Sequence, residues 1–323
     1  MGRGRGRPGS LQSVIDVMPD QADHLRYLIH TAPPAAHAAP DGLPMVVVTG
    51  GRVGVGATTV AVNLAAALAD RGERVLMVDA ADEGSNMTEI AGVRSTIDYS
   101  LADVLAGNCK IVDAITPGPV GTSLLTTRGR ASVKWKCESA AADSPTWQRQ
   151  LMTELQSLRG DFDAMVIDTG AGLSAVARRL WLRAQLVLLV TNPDDAAVMD
   201  AYAAVKRHAT GARDVMCENI RLLVNQSDSD RLAADAHRRL SDCCRRFLGC
   251  DVIALPPLPR HGEDASEGLY PRVWDEPNSP FGHAALWLAR AVSDSLAQKL
   301  PLPRGTACNQ PKPARNSRRA ARC

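Results

Sequence analysis

The stretch that most constrains this chain is an apolar run followed by a glycine-rich turn and then a helical pattern. The apolar run is Met45 to Val48, the turn at 49–59 reads TGGRVGVGATT, and Val60 to Ala69 has the spacing of a helix. Glycines let backbone N–H groups approach an anion closely, and a helix N-terminus adds partial positive charge. The stretch therefore predicts a phosphate-binding loop between a strand and a helix.

The loop departs from the usual Gly-x4-Gly-Lys-Ser/Thr pattern at one position. Three positions match: Gly51, Gly56 and Thr58. Ala57 stands where the pattern has lysine, whose ammonium normally reaches the β- and γ-phosphates. The first lysine of the chain is Lys110, so no neighbouring lysine replaces it, and Arg52 is the one cation in the loop.

Downstream of the loop, strand and helix patterns alternate, which is typical of a parallel sheet. Strands are predicted at 46–49, 74–79, 123–126, 162–168, 186–190, 220–225 and 251–255. Helices are predicted at 101–105, 147–158, 200–208, 232–248 and 281–300. The fold class that follows is α/β, with a mostly parallel twisted sheet and helices on both faces.

Composition divides the 323 residues into three parts. Residues 1–40 are expected to be disordered except for a short amphipathic helix near 20–30, followed by an Ala/Pro linker. The nucleotide-binding domain is expected at 41–300 and a disordered basic tail at 301–323.

No signal peptide or membrane-spanning run is evident, so we expect a cytoplasmic protein. The eight cysteines form no C-x-x-C pair, and we expect them to be reduced thiols.

Polar residues at the strand ends supply candidate chemistry, because ligands bind beyond the carboxyl ends of parallel strands. Thr58 is predicted to ligate Mg²⁺ through its hydroxyl, and Asp168 to hold a water of that metal. Asp79 is predicted to orient the attacking water and is also a candidate metal ligand. Asn225 is predicted to read the adenine edge. Each residue alone also suits a cap or turn, but the four in this order favour a nucleotide site.

The region from Met45 to about Leu300 resembles the MinD/ParA family of deviant Walker-A ATPases. Residues 47–59 are similar to the K-G-G-V-G-K-T-T loop of that family, and 78–86 to its D-A-D-x-G-x-x-N segment. The resemblance implies a P-loop NTPase fold that binds ATP with Mg²⁺ and forms an ATP-dependent homodimer. It also implies that the loop residues contact the nucleotide: Gly51, Gly54, Val55, Gly56, Ala57, Thr58 and Thr59.

Within the family, the chain is most similar to the FlhG group, which regulates flagellar number and placement. The segment 20–26, DQADHLR, matches the D-Q-A-x-x-L-R motif of that group. The resemblance implies that the N-terminal helix stimulates an FlhF-like GTPase and that flagellar switch proteins are further partners. The residues implied in partner binding are Asp20, Gln21, Leu25 and Arg26.

The departures from the family pattern concern hydrolysis. Ala57 replaces the P-loop lysine, Arg52 replaces the lysine that reaches across the dimer, Val53 replaces a glycine, and Ala81 replaces the second switch aspartate. Losing preorganised charge at the phosphates costs about 100-fold or more in rate. Arg52 and Asp79 remain as catalytic candidates, although a guanidinium replaces an ammonium poorly in a tight loop. We expect nucleotide binding with slow or absent conversion of ATP and water to ADP and phosphate.

Two other functions of this family stay open. An alanine at this loop position is similar to CpaE/TadZ-like localisation proteins, which implies a non-hydrolysing scaffold. A ParA-like partitioning ATPase would need a basic stripe for DNA, and the net charge of +2 argues against nucleic-acid binding. The basic tail lacks large apolar residues, so only weak contact with an anionic membrane, at its inner face or the cell pole, is expected. The helix at 283–300 is expected to pack on the domain.

Overall fold

The computed structural model describes residues 42–81, 86–93, 97–119, 121–127, 144–171, 174–209, 217, 219–260 and 271–297. The helix predicted near 20–30, its linker and the tail at 301–323 lie outside the described residues. The described part contains the glycine-rich loop and all the strand ends at which site residues are predicted.

The strands form one sheet whose order matches a doubly wound α/β fold. Their bounds are β1 Met45–Gly50, β2 Val75–Asp79, β3 Thr116–Pro117, β4 Thr122–Thr126, β5 Ala164–Asp168, β6 Leu186–Thr191, β7 Ile220–Val224 and β8 Ile253–Ala254. The order is β3-β4-β2-β5-β1-β6-β7-β8. Every pairing is parallel except β3 with β4. The predicted mostly parallel sheet is confirmed.

The helices of the described residues lie on both faces of this sheet. Their bounds are α1 Ala57–Asp70, α2 Met87–Ile90, α3 Leu101–Leu105, α4 Pro145–Ser157, α5 Ala175–Trp181, α6 Asp195–Ala209, α7 Asp230–Leu248, α8 Arg272–Asp275 and α9 Pro280–Ala297, with a 3-10 turn at Ile111–Ala114. Three of them, α2, α5 and α8, are missing from the sequence prediction. The overlooked signal for α5 is Ser174, whose hydroxyl accepts a hydrogen bond from the Ala177 amide as an N-cap.

The predicted bounds need correction at two elements. Helix α6 begins at Asp195, five residues before the predicted start at Asp200. The aspartates that follow Pro193 suit a helix N-terminus, because negative charge is stabilised there. Strand β8 contains only Ile253 and Ala254, because its pairing with β7 covers two residues.

The core consists of two apolar layers, one on each face of the sheet. In β1, Met45 and Val47 face one layer, and Val46 and Val48 face the other. This explains the unbroken apolar run, since a central parallel strand is buried on both sides. Helices α4 to α7 cover the first layer, while α1, α8 and α9 cover the second.

Helix α9 packs on the domain as predicted. Its buried side chains lie in the same layer as those of α1: Phe281, Ala285, Leu288, Ala289 and Val292. In the described part of the chain, no helix combines the length and apolar character needed to cross a membrane.

The cysteine prediction is wrong for one pair. Cys217, just before β7, is disulfide-bonded to Cys250, just after α7, with the Cα atoms 6.0 Å apart. The two residues are 33 positions apart in the sequence, so no short motif indicates the pair; the adjacency of β7 and β8 brings them together. Three described cysteines are free thiols: Cys109, Cys243 and Cys244.

Replacing Cys250 with serine, or reducing the protein with dithiothreitol, is expected to lower the free energy of unfolding. Opening a loop of this length gives the unfolded chain more conformational freedom and costs about 4 kcal/mol. The measurement is urea denaturation with and without dithiothreitol. Cys243→Ser is the matched control, because that thiol is free and only partly buried, and its curve should stay close to the wild type. Identical wild-type curves with and without reductant would show that the pair is reduced in solution.

Candidate functional site

The glycine-rich loop between β1 and α1 has a backbone that only glycine accommodates at several points. Gly54 and Gly56 have φ angles of +91° and +85°, a region that side chains with a Cβ disfavour. Gly51 lies directly against α6, where an added Cβ would come within 2.3 Å of the Ala201 backbone nitrogen. Val55, which belongs to the loop, has a buried side chain. The loop thus ends at the N-terminus of α1, where unpaired N–H groups favour an anion.

Asn225, one residue beyond β7, fastens this loop. Its Nδ2 donates a hydrogen bond of 2.9 Å to the Val55 carbonyl oxygen. The contact is so close that a Cβ on Gly56 would be 2.4 Å from the same nitrogen. The structure therefore brings Asn225 to the predicted site and gives its amide nitrogen a partner in the protein. Adenine reading by Asn225 stays a prediction.

Two buried carboxylates stand side by side next to the loop. Asp79 ends β2 and Asp168 ends β5, and the two residues are directly paired in register across these parallel strands. Both are almost completely buried. The Asp168 Oδ1 accepts a hydrogen bond of 2.8 Å from the Gly170 amide, whereas its Oδ2 accepts none from any described residue. The predicted pair of carboxylates is thus brought together at the carboxyl edge of the sheet.

The electrostatics of Asp168 favour a cation. The pKa of Asp168 is raised to about 6, mainly because the carboxyl group is buried; the Thr58 hydroxyl and the Gly170 amide lower the pKa, and the charge of Asp79 raises it. At neutral pH the group is mainly a buried carboxylate beside a second acidic side chain. Proteins bind Mg²⁺ beside a phosphate through one or two carboxylates and few other side-chain oxygens, and two carboxylates with a hydroxyl are ligands of this kind. Thr58, Asp79 and Asp168 therefore fit the predicted metal site.

The two loop positions that depart from the family pattern differ in their surroundings. Ala57 is the first residue of α1 and its methyl group is buried. Arg52 lies on the exposed side of the loop, with its Nε 3.7 Å from the Asp200 Oδ2 on α6. Both side chains of that ion pair are about half exposed, 47% each, so the pair contributes little stability. The loop therefore offers backbone amides rather than a buried cation.

Asn63 is a buried structural residue next to the site that the sequence prediction missed. It is buried on α1, where its Nδ2 donates to the Thr59 carbonyl oxygen at 2.8 Å. Its Oδ1 accepts a hydrogen bond of 2.9 Å from the Val273 amide of α8. The side chain thus links the first turn after the loop to α8. A single polar residue within the apolar run 60–69 was the available signal.

Comparison with known proteins agrees with this geometry. The AAA domain family matches residues 45–208. The antiactivator FleN of Pseudomonas aeruginosa is 32% identical over 271 residues, which cover 77% of this chain and 93% of FleN. The septum site-determining protein MinD of Bacillus subtilis is 33% identical over 156 residues, 48% of this chain and 56% of MinD. The structure of Pyrococcus horikoshii MinD complexed with Mg-ADP has a TM-score of 0.59 at 26% identity, covering 80% of this chain and all of MinD.

Replacing Asp168 with asparagine is expected to stabilise the protein in the absence of nucleotide and Mg²⁺. Its pKa is raised from 3.8 to about 6, so the folded state holds the proton more tightly than the unfolded state. Wild-type stability therefore falls as the pH rises from about 4 to about 6, and the full penalty remains above that range. A shift of this size corresponds to about 3 kcal/mol.

Urea denaturation at pH 4 and pH 7.5 measures this effect. Asp168→Asn should raise the free energy of unfolding at pH 7.5 and have much less effect at pH 4. The matched control is Asp163→Asn, because the guanidinium of Arg74 lowers the pKa of Asp163, and removing that carboxylate should not stabilise the protein at either pH. A destabilised Asp168→Asn at pH 7.5 would contradict the assignment of a penalised buried charge.

Proposed function

The chain belongs to the MinD/ParA family of AAA-domain proteins, and from this premise we propose that it is an ATP-binding regulator of the FlhG type. Binding of ATP with Mg²⁺ promotes self-association, and the dimer acts on protein partners. The observation that carries this proposal is the glycine-rich loop at the start of α1, placed beside the buried carboxylate of Asp168. A loop of backbone amides next to an oxygen set for a cation suits a phosphate–metal ligand.

Different residues of the site bind the phosphates, the metal ion and the attacking water. The backbone N–H groups of the loop bind the phosphates, and Thr58 and Asp168 hold Mg²⁺, with Asp79 beside them. When bound, Mg²⁺ neutralises charge on the β- and γ-phosphates. Asp79 orients a water molecule for attack. The Mg-ADP bound in the related MinD structure supports this choice of ligand.

The missing lysine makes this a binding switch with little turnover. Ala57 carries no charge, and Arg52 is engaged with Asp200 at the exposed side of the loop. Neither residue supplies a fixed cation at the phosphates before nucleotide binds. The loop backbone, the metal ligands and the fastening by Asn225 are all retained, so affinity for ATP is affected less than the rate of hydrolysis.

Self-association is proposed through the surface around the loop. Val53, at the tip of the loop, is 69% exposed, and Met199 on α6 is 54% exposed. Asp200, next to Met199, holds Arg52, so apolar and charged groups alternate on this surface. Exposed apolar groups rimmed by charge are typical of protein interfaces.

The proposed partners follow from the FlhG-type motif at 20–26. Asp20, Gln21, Leu25 and Arg26 contact an FlhF-like GTPase and stimulate it, and the protein thereby controls flagellar number or placement. Flagellar switch proteins are further proposed partners. The proposed location is the cytoplasm, with peripheral contact at the inner face of the membrane or the cell pole. FleN, the relative with 93% of its length covered, is an antiactivator, which supports a regulatory role.

A non-hydrolysing localisation scaffold of the CpaE/TadZ type is the second candidate function. Ala57 favours it, because a scaffold needs the folded domain but not a cation at the phosphates. The two functions differ in nucleotide dependence: the FlhG-type regulator self-associates only with ATP, whereas a scaffold does so with or without it.

Ala57→Lys is expected to raise the rate of ATP hydrolysis by about 100-fold, because it restores a charge poised for the transition state. Nucleotide affinity is measured separately from phosphate release. Ala57→Met is the matched control, since it adds a chain of similar length without charge and should leave turnover at the wild-type level. Fast wild-type hydrolysis that survives Arg52→Ala would show that neither cation matters. Failure of the wild type to bind Mg-ATP would refute the proposed function.

Changing both Gln21 and Arg26 to alanine is expected to abolish stimulation of a cognate FlhF-like GTPase and to leave ATP binding unchanged. The loss follows from removing the polar groups offered to the partner. The full-length protein is titrated into the GTPase and GTP turnover is measured. The control changes Asp23 and His24, the two unspecified positions of the motif. A double variant that stimulates like the wild type would remove the main support for the flagellar role.

A further inference from the structure

A cleft lies at the edge of the sheet, beside β3. Its volume is about 600 Å³, and its walls come from the segments that flank α3, from the 3-10 turn and from β3. Three strands stand between β3 and β1, the strand that leads into the glycine-rich loop. The cleft is therefore separate from the proposed nucleotide site.

The outer edge of β3 offers hydrogen-bond acceptors rather than donors. The Gly118 amide donates to the Thr122 carbonyl oxygen at 2.9 Å, on the side that faces β4. Successive residues of an antiparallel strand face opposite edges, so the carbonyl oxygen of Pro117 faces away from β4. Pro117 has no N–H, and the Ile115 amide already donates to the Val112 carbonyl oxygen. Addition of another strand is therefore disfavoured, whereas a side chain with N–H donors can bind.

Two carboxylates line the cleft. Asp98 and Asp113 are both exposed, and neither forms an ion pair with a described residue. The Asp113 Oδ2 accepts a hydrogen bond of 3.2 Å from the Lys110 amide, which holds this carboxylate in place. The lysine itself does not line the cleft. The cleft therefore carries negative charge that no ion pair among the described residues neutralises.

An aromatic ring and apolar side chains complete the cleft. Tyr99 lines it and is 42% exposed, and Ile115 and Pro117 also line it. An arginine side chain suits all of these groups. Its guanidinium pairs with a carboxylate through two parallel N–H bonds, stacks on a tyrosine ring, and has further donors for a carbonyl oxygen. A lysine ammonium has neither the fork nor the plane, so the cleft favours arginine over lysine.

The chain supplies such a ligand after α9. Residues 301–323 contain five arginines and one lysine but no acidic residue, and four of the arginines lie within 315–322. Helix α9 ends at Ala297, and Arg322 follows 25 positions later. An extended chain of that length spans about 80 Å. A domain of about 260 residues has a radius of gyration of about 18 Å, so the tail is long enough to reach the cleft.

We propose that the cleft beside β3 binds the arginine-rich tail of the same chain, through the arginines of 315–322. Asp98 and Asp113 pair with guanidinium groups, and Tyr99 stacks on one of them. The carbonyl oxygen of Pro117 accepts a further hydrogen bond. Because Pro117 prevents strand pairing, the tail is held by its side chains rather than by its backbone. This docking needs no nucleotide.

The test measures binding of a fluorescent peptide of residues 311–322 to the full-length protein at low salt, because salt screens exposed charges. A full-length variant with the four arginines of 315–322 changed to glutamine leaves the cleft open to the peptide. In the wild type, the tail occupies the same cleft at a high effective concentration. The wild type should therefore bind the peptide about tenfold more weakly than the glutamine variant. Equal binding by the two proteins, or no binding by the glutamine variant, would overturn the proposal.

Substitutions in the cleft locate the binding site. In the glutamine variant, Asp98→Asn with Asp113→Asn should weaken peptide binding about tenfold, because each exposed ion pair contributes a few-fold. Tyr99→Leu should weaken it about threefold. The matched control is Asp161→Asn with Asp230→Asn, which removes the same charge at two exposed positions elsewhere and should leave peptide binding unchanged. Cleft variants that bind like their parent would refute the assignment of this site.

Two further peptides test the chemistry of the occupant. A tail peptide with its four arginines changed to lysine carries the same charge without the planar fork, and should bind about threefold more weakly. Equal affinities would show that charge alone is recognised and would overturn a site for arginine. A peptide of residues 1–8 should also bind more weakly, and tighter binding would assign the cleft to that segment instead of the tail. Unchanged urea midpoints of the cleft variants show that they are folded, so their loss of peptide binding reports on the cleft.

Discussion

The arrangement of the site depends on a buried carboxylate at the centre of the sheet. Asp168 ends the central strand β5, is fully buried, and lies in register with Asp79 on β2. Burial and the neighbouring acid both disfavour its charge, and only the Gly170 amide and the Thr58 hydroxyl offset this. A protein that keeps such a group reduces its own stability in order to hold a negative site beside the loop. This loss of stability serves ligand binding when a cation and a phosphate group occupy the site.

The loop beside it is shaped by contacts outside itself. Its entry is tied to the segment after β5 by the hydrogen bond from the Gly50 amide to the Gly170 carbonyl oxygen. Its middle is tied to β7 through Asn225, and Gly51 is packed against the backbone of α6. Asn63 links the following helix to α8. The shape of the phosphate-binding part therefore does not depend on the side chain at position 57, which is why Ala57 removes a charge without removing the pocket.

Much of the architecture could be predicted from the chain alone. The unbroken apolar runs gave the central strands to within one or two residues, because those strands are buried on both faces. Elements with weak local signals were missed or misplaced: α5 has seven residues, α8 has four, and α6 begins in an Asn-Pro-Asp-Asp segment typical of loops. The Cys217–Cys250 bond had no motif to reveal it, since its partners meet only through the order of β7 and β8.

The sequence by itself determined that this is a parallel α/β protein with a glycine-rich loop, that the loop lacks its lysine, and that carboxylates and an amide end the strands around it. These features are local, because they depend on residue type and spacing. Only the tertiary structure decided what each polar group does. It paired Asp79 with Asp168 and placed Arg52 against Asp200 on the exposed side of the loop. It also bonded the Asn225 amide nitrogen to a carbonyl oxygen of the loop. The physical reason is that hydrogen-bond partners and burial depend on strand order and crossover connections, which bring together residues 89 to 170 positions apart.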